Sequence, residues 1–572
     1  MKTLHTHGCR FFWILAVLLT GVPASADIST SRHNLSVTGP GPIKSTTEQE
    51  ICVYCHTPHR ARTTTGLLWN RDDSTATYTQ YQSTSLKAVV GQPTGASKLC
   101  LSCHDGTVAL GELVSRPTEI PFAGGIRFLP AGETRLGTDL SDDHPVSFVY
   151  DESLAIQNGE LASPSILTNT VRLDRNGELQ CTACHDPHDD TLGKFLVRPN
   201  NFSELCVTCH TRTDWAFSSH ATSAATWSGI GPDPWPFTEF TTVAESACRN
   251  CHTPHTAGEP LRLLNYIAEE DNCLACHNGN VASTDIEFDV LKSFTHPVQD
   301  YTRVHDATED PTIFMPNHVE CVDCHNPHRV NSNTAAAPAV GGTQLGVSGV
   351  SAAGVAVPES SFLYEICFKC HADNNVLSFV PITRQHAQIN TRLEFDLANP
   401  SYHPVEGIGK NPDVPSLAGG PYSETSIIYC TDCHNSDTST ASGGPGPDGP
   451  HGSIYSPILE RNYTTLDNTT ESTFEYALCY KCHDRNSILG DDSFKEHDTH
   501  VRKEDAPCST CHDPHGVSAT QGNPVNNTHL INFDLNIVSP SSSGLLMFED
   551  LGARRGQCYL TCHGKDHDPK DY

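Results

Sequence analysis

The chain has 572 residues, with 25 cysteines and 32 histidines but only 3 methionines and 5 tryptophans. Lys plus Arg number 36 against 67 Asp plus Glu, and the net charge of −31 excludes binding of nucleic acid or anionic lipid through bulk charge. Apolar residues are 37%, so a chain long enough for several domains is poor in the material of ordinary cores, and its wealth of Cys with His points to metal or haem.

At the N-terminus, Lys2 and Arg10 accompany an apolar run from Phe11 to Val22, and Ala24-Ser25-Ala26 follows. Positive charge, a run too short to span a bilayer and a small-residue cleavage site are the pattern of an export signal over 1–26. Cys9 precedes the run, so it is not placed as a lipid-anchor cysteine. No later stretch has the length and apolarity of a spanning helix. The expectation is a mature chain starting near Asp27, with no integral membrane segment, in the periplasm or at the outer surface.

Beyond Cys9, 24 cysteines remain, and all fall in twelve motifs. Eleven are CxxCH: Cys52, Cys55 and His56; Cys100, Cys103 and His104; Cys181, Cys184 and His185; Cys206, Cys209 and His210; Cys248, Cys251 and His252; Cys273, Cys276 and His277; Cys321, Cys324 and His325; Cys367, Cys370 and His371; Cys430, Cys433 and His434; Cys479, Cys482 and His483; Cys508, Cys511 and His512. The twelfth, Cys558, Cys562 and His563, has one extra residue. Cysteines of an exported protein normally pair as disulfides. Here a histidine follows each pair at once, which is the signature of covalent c-type haem: two thiols attach the ring and the histidine ligates iron. A zinc ribbon needs two CxxC pairs per ion and no histidine fixed after each. A thioredoxin-like site needs one pair in an α/β domain. Twelve covalently attached c-type haems are therefore expected.

Consecutive motifs pair into six repeated dihaem units, with expected boundaries 27–150, 151–230, 231–305, 306–410, 411–495 and 496–572. The leading motif reads CHTPH, CHDPH, CHTPH, CHNPH and CHDPH in five units, and the fifth unit departs with CHNSD after Cys433. On these motifs the chain resembles the doubled-CxxCH multihaem c-type cytochromes exported by metal-respiring bacteria, over His33 to His567. The resemblance implies a multihaem cytochrome and allows, among other forms, a haem-stacked filament.

Beyond the signal, only Met315 and Met547 are available as methionine ligands, so histidine on both faces of the iron is the default. His59, His188, His255, His328 and His515 sit three residues after a proximal histidine. They leave from the proximal side of their own ring, so they are expected to reach a neighbouring haem. The other candidates lie upstream of each doublet: His33, His144, His220, His296, His403 and His500. His451 is the candidate to replace the missing CHxPH histidine of the fifth unit. His305, His318, His386, His497, His529 and His567 are left over.

The expected fold is mostly irregular coil with short α-helices wrapped around a chain of haems, and little β-sheet. Gly, Pro, Ser and Thr dominate between motifs, and a short helix is expected around Glu471 to His483. The low-complexity insert 331–361 reads as a linker or flexible loop, and Ser439 to Gly452 as another. The expected function is electron relay, in which single electrons pass to partner cytochromes or to an external metal or mineral acceptor. An acidic surface suits a basic partner or a cationic metal species. The alternatives are a multihaem terminal reductase of the nitrite or hydroxylamine type, or a filament-forming cytochrome. A reductase needs an open iron; the nitrite reductases that this chain distantly resembles often mark it with CxxCK, which does not occur here, so no catalytic residue is assigned.

Overall fold

The structure is a computed structural model that describes residues 27–62, 67–235, 238–300, 305–306, 310, 318–374 and 382–572. The expected export signal over 1–26 lies outside the described residues. Most of the chain is coil, carrying short helices and small sheets. Among the described residues no helix is long and apolar enough to cross a membrane.

The chain divides into two compact units. The first comprises Met1–Ala76, Pro93–Gly137 and Asn169–Pro199, and the second Thr77–Gln92, Thr138–Thr168 and Asn200–Tyr572. The first holds the motifs at Cys52, Cys100 and Cys181, and the second holds the other nine.

Buried apolar residues form small separate clusters, as a low apolar content dictates. In the first unit Val53, Tyr54, Leu110, Leu113, Ile120 and Phe122 pack together with Cys55 and Cys103 against them. Beside them Arg71 is fully buried and donates to the carbonyls of Ser102, Ala109 and Leu110. In the second unit Val350, Tyr364, Phe368, Ala372, Phe395 and Val405 form one cluster, with Cys430 against it. Another joins Ile531, Phe533, Val538, Phe548 and Leu560 to Cys511, Cys558 and Cys562. These three clusters have motif cysteines at their edges, so these small cores help position the attachment points.

The helices run into the motifs more than they follow them. Gly95–His104 and Leu363–His371 end on the motif histidine, and Ala477–Tyr480 leads into Cys479. Elsewhere the motif itself is a single tight turn, as at Cys52–Tyr54, Cys181–Ala183, Cys206–Thr208, Cys430–Asp432 and Cys508–Thr510.

One region differs from expectation, and a second stands out. Within 331–361, Gly349–Val350 pairs antiparallel with Ala356–Val357, and Val347 and Val350 are buried. The segment is therefore packed structure. Gly349 is required there, since a Cβ would lie 2.3 Å from Ser360 Oγ and 2.7 Å from the Glu365 carbonyl. The second is a four-stranded antiparallel sheet at the C-terminal end. Its central strand, Gly556–Cys562, carries the twelfth motif between Val538–Ser539 and Met547–Asp550 on one edge and Lys565–Asp571 on the other.

Candidate functional site

A CxxCH segment must close into one turn so that both thiols and the imidazole serve one ring. It does so here through a hydrogen bond from the histidine N–H to the carbonyl of the first cysteine. This bond is 2.8 Å for His56 to Cys52, 3.0 Å for His185 to Cys181, 2.9 Å for His210 to Cys206 and 3.0 Å for His252 to Cys248. It recurs at His277, His325, His434, His483 and His512. None of the 24 motif cysteines forms a disulfide.

The histidines then meet in facing pairs. In the first unit His33 lies across from His104 with ring centres 6.3 Å apart, and His56 across from His188 at 6.1 Å. In the second unit His144 faces His210 at 6.3 Å, His252 faces His328 at 6.2 Å and His220 faces His277 at 6.2 Å. His325 faces His451 at 6.1 Å, His296 faces His371 at 6.2 Å and His434 faces His515 at 6.2 Å. His403 faces His483 at 6.5 Å and His497 faces His512 at 6.4 Å. Two metal–imidazole bonds of about 2 Å each, plus the span from each ring nitrogen to its own ring centre, require about 6 Å. Direct imidazole stacking would be far closer, so the residues fit an iron held between the two rings.

Ring orientation supports the same fit. The Nδ1 atoms of His56, His104, His252, His325 and His512 bond the carbonyls of Leu67, Thr134, Arg262, Thr343 and His529. An Nδ1–H given to a carbonyl leaves Nε2 as the metal-binding nitrogen. Burial pushes His277, His371, His434, His483 and His512 down to about 4, so these rings are neutral, the form that binds metal.

The facing histidines obey a rule not visible in the motifs. His220 Nδ1 bonds the Pro327 carbonyl at 2.8 Å, and His296 Nδ1 bonds the Pro450 carbonyl at 2.8 Å. His33 bonds Pro187 at 3.3 Å, and His403 bonds Pro514. His144 meets Pro254 through its backbone N–H at 2.8 Å. Each of these prolines directly precedes a candidate ligand: His188, His255, His328, His451 or His515. The Pro450-His451 pair performs this task for the fifth unit, whose motif lacks CHxPH.

Other expected ligands stand elsewhere. His59 is exposed, and its ring faces no histidine among the described residues. The Pro-His pairs at His188, His328, His451 and His515 each face the leading motif of the preceding doublet, whereas His59 lies in the Cys52 doublet. His255 Nδ1 is held by Asp143 Oδ1 at 3.0 Å, as His515 Nδ1 is held by Glu394 at 2.9 Å. His500 faces His567 at 6.3 Å, and His563 Nε2 bonds Asp467 at 2.9 Å. His497 and His567 were not among the expected ligands. The signal for His497 is EHDTH, which puts two histidines, His497 and His500, directly upstream of the Cys508 doublet.

Neighbouring motifs approach one another through their thiols. In the first unit Cys100 hydrogen-bonds Cys181, and Cys103 lies near enough to help raise Cys55, whose main cause is burial. In the second unit Cys206 contacts Cys248, Cys273 contacts Cys321, Cys367 contacts Cys430 and Cys479 contacts Cys508. Cys251 lies near Cys276, Cys324 near Cys367 and Cys370, Cys433 near Cys482 and Cys479, and Cys511 near Cys558 and Cys562. Within each unit every motif therefore adjoins the next in chain order.

The family model described as doubled CXXCH motif matches residues 175–214, which contain the Cys181 and Cys206 motifs. The chain is also 26% identical over 161 residues to a protein of Shewanella baltica (strain OS185) named multiheme cytochrome MtrA. That match spans 26% of this chain and 36% of the relative. Motifs, facing histidines and comparisons together support a likeness to the multihaem c-type cytochromes with doubled CxxCH motifs.

Proposed function

We propose that this protein is a dodecahaem electron relay, exported to the periplasm or cell surface, which passes single electrons to a partner cytochrome or external acceptor. The observation that carries the reading is the order of the motifs: within each unit, successive attachment points adjoin in sequence order. The intervening step from the Cys181 motif to the Cys206 motif is only 25 residues of chain.

Bound haem supplies reversible one-electron chemistry at iron. The chain's residues attach, ligate and shield. The motif cysteines attach the rings. The facing histidines would hold each iron they flank from both sides, which would favour electron transfer over substrate binding and give lower potentials than methionine ligation. The proline carbonyls hold the imidazoles in place without a charge. Donor and acceptor are electron-transfer partners, whose contacts are small; the acidic surface suits a basic partner or a cationic metal species.

The test is the spectrum of the reduced protein with and without carbon monoxide, which binds only open irons. The reading expects almost no change on adding carbon monoxide, together with low-spin ferric signals in paramagnetic resonance. Rapid turnover of nitrite or hydroxylamine would favour the reductase instead.

A further inference from the structure

We propose that the twelfth haem, attached at Cys558 and Cys562, is ligated by His567 and His500 and not by the motif's own His563. This rests on the reading that all twelve motifs carry haem. The twelfth motif differs from the other eleven in backbone. It lies on the extended Gly556–Cys562 strand, where no turn brings the following histidine back over the first cysteine. On a strand, residues two and four apart share a face, so Cys558, Leu560 and Cys562 point together into the cluster that also holds Cys511. His563 begins the turn out of that strand with φ +49°. Its Nε2, the nitrogen that would bind iron, is 2.9 Å and 3.0 Å from the two carboxylate oxygens of Asp467.

His567 returns on the partner strand, directly across from Leu560. Its Nδ1 is held by the Tyr572 hydroxyl, and His500 Nδ1 is held by the Glu496 carbonyl at 2.8 Å. Both rings thus have Nδ1 occupied and Nε2 left for metal, as in the other facing pairs. Their centres are 6.3 Å apart, within the 6.1–6.5 Å range of those pairs. The hairpin replaces the missing helical turn: the chain passes the ring once with its thiols and comes back five residues after Cys562 with its ligand, His567.

The test compares His567→Met and His563→Gln with the unaltered protein by intact mass and redox titration. His567→Met is expected to keep twelve haems and move one-twelfth of the redox wave to higher potential, since methionine ligation raises it. His563→Gln is expected to leave the wave of any twelve-haem product unchanged. An unchanged wave in a twelve-haem His567→Met protein overturns the ligand assignment alone. An unaltered protein with eleven haems overturns both the assignment and the haem count.

A separate observation carries a second inference. We infer that His305, His318 and Asp323, completed by Glu320, form a site for a divalent transition-metal ion. The ligand atoms of His305, His318 and Asp323 all lie within 4.8 Å of one another. Glu320 is 4% exposed, and neither oxygen of its carboxylate accepts a hydrogen bond. Its Oε2 is 3.4 Å from His305 Nδ1. A buried carboxylate with nothing bound to it costs far more than one on a cation. Two imidazoles with two carboxylates match zinc, manganese or iron(II) in ligand type, whereas calcium and magnesium prefer oxygen alone. Glu269 accepts from the His305 N–H at 2.9 Å, which anchors the site to the helix carrying Cys273. The ion would therefore sit beside the touching Cys273 and Cys321 motifs.

The probe is Zn2+ added to chelator-treated, twelve-haem protein, followed by gel filtration and elemental analysis. One equivalent is expected to stay with the protein and with a His386→Ala control, and to be lost in His318→Ala. Retention of zinc by His318→Ala, or no zinc on the unaltered protein, overturns the site.

Discussion

The Pro327 carbonyl accepts a hydrogen bond from His220 Nδ1 at 2.8 Å, while the next residue, His328, faces His252 across 6.2 Å. One dipeptide thus serves two centres of the preceding doublet, one through its backbone and one through its side chain. The same arrangement joins Pro187-His188 to His33 and His56, Pro450-His451 to His296 and His325, and Pro514-His515 to His403 and His434.

The dipeptide rule predicts that His328→Ala opens the site opposite His252, and His220→Ala the site opposite His277. Together they should open two. Pro327→Ala should open none, because the substitution keeps the carbonyl. Carbon monoxide uptake by the reduced protein counts the open irons. Uptake by Pro327→Ala equal to that of His220→Ala would show that the ring and not the carbonyl holds the ligand.

At the start of the chain, His188→Ala is predicted to open the site opposite His56, whereas His59→Ala should leave all spectra unchanged. Both proteins should retain twelve haems by mass, since the thioether bonds do not depend on the distal ring. A high-spin signal in His59→Ala would mean that this exposed histidine closes an iron after all.

Much of this site was legible from sequence because covalent attachment fixes local spacing: thiol, thiol and imidazole must fall within one turn. The facing histidines were only partly legible, because each is placed by contacts far along the chain. His33 and Pro187 are 154 residues apart, and His220 and Pro327 are 107 apart. The upstream histidines were visible as a class, but not the carbonyl that orients them. His497 faces His512, and its signal in the sequence is only its place beside His500 in EHDTH. The 331–361 segment read as a linker because AAAPAVGG has no periodicity, yet Val350 packs on Tyr364 and Phe368 through a turn that needs Gly349.

Arg71 predicts a stability effect independent of the haems. Its guanidinium is fully buried and satisfies three carbonyls. Arg71→Leu strands those acceptors and should cost about 3–5 kcal/mol, enough to expose the first unit to protease. Limited proteolysis at constant haem content checks this; unaltered resistance would refute it.

Glu406 predicts a pH effect. Burial, then the charge of Asp396, pushes its carboxyl up to about 7, and it lies near Tyr364 on the helix that carries Cys367 and Cys370. With the folded value above the unfolded one, its neutral form stabilises the fold below about pH 4.5, and that contribution is lost as pH rises to 7. A negative Glu406 also disfavours adding an electron nearby. Part of the redox wave should therefore fall as pH rises through 7, and Glu406→Gln should flatten that slope. An equal slope in both proteins would remove Glu406 from the account.

The central claim is that the haems form one relay in chain order with closed irons. Rapid mixing of fully oxidised protein with limiting reductant, followed by a soluble ferric chelate, tests it most directly. The account predicts that electrons equilibrate over all haems within the mixing time, and that the chelate then reoxidises them in one phase. A fraction of haems that stays oxidised or reduced on that timescale would contradict it, dividing the chain into isolated islands.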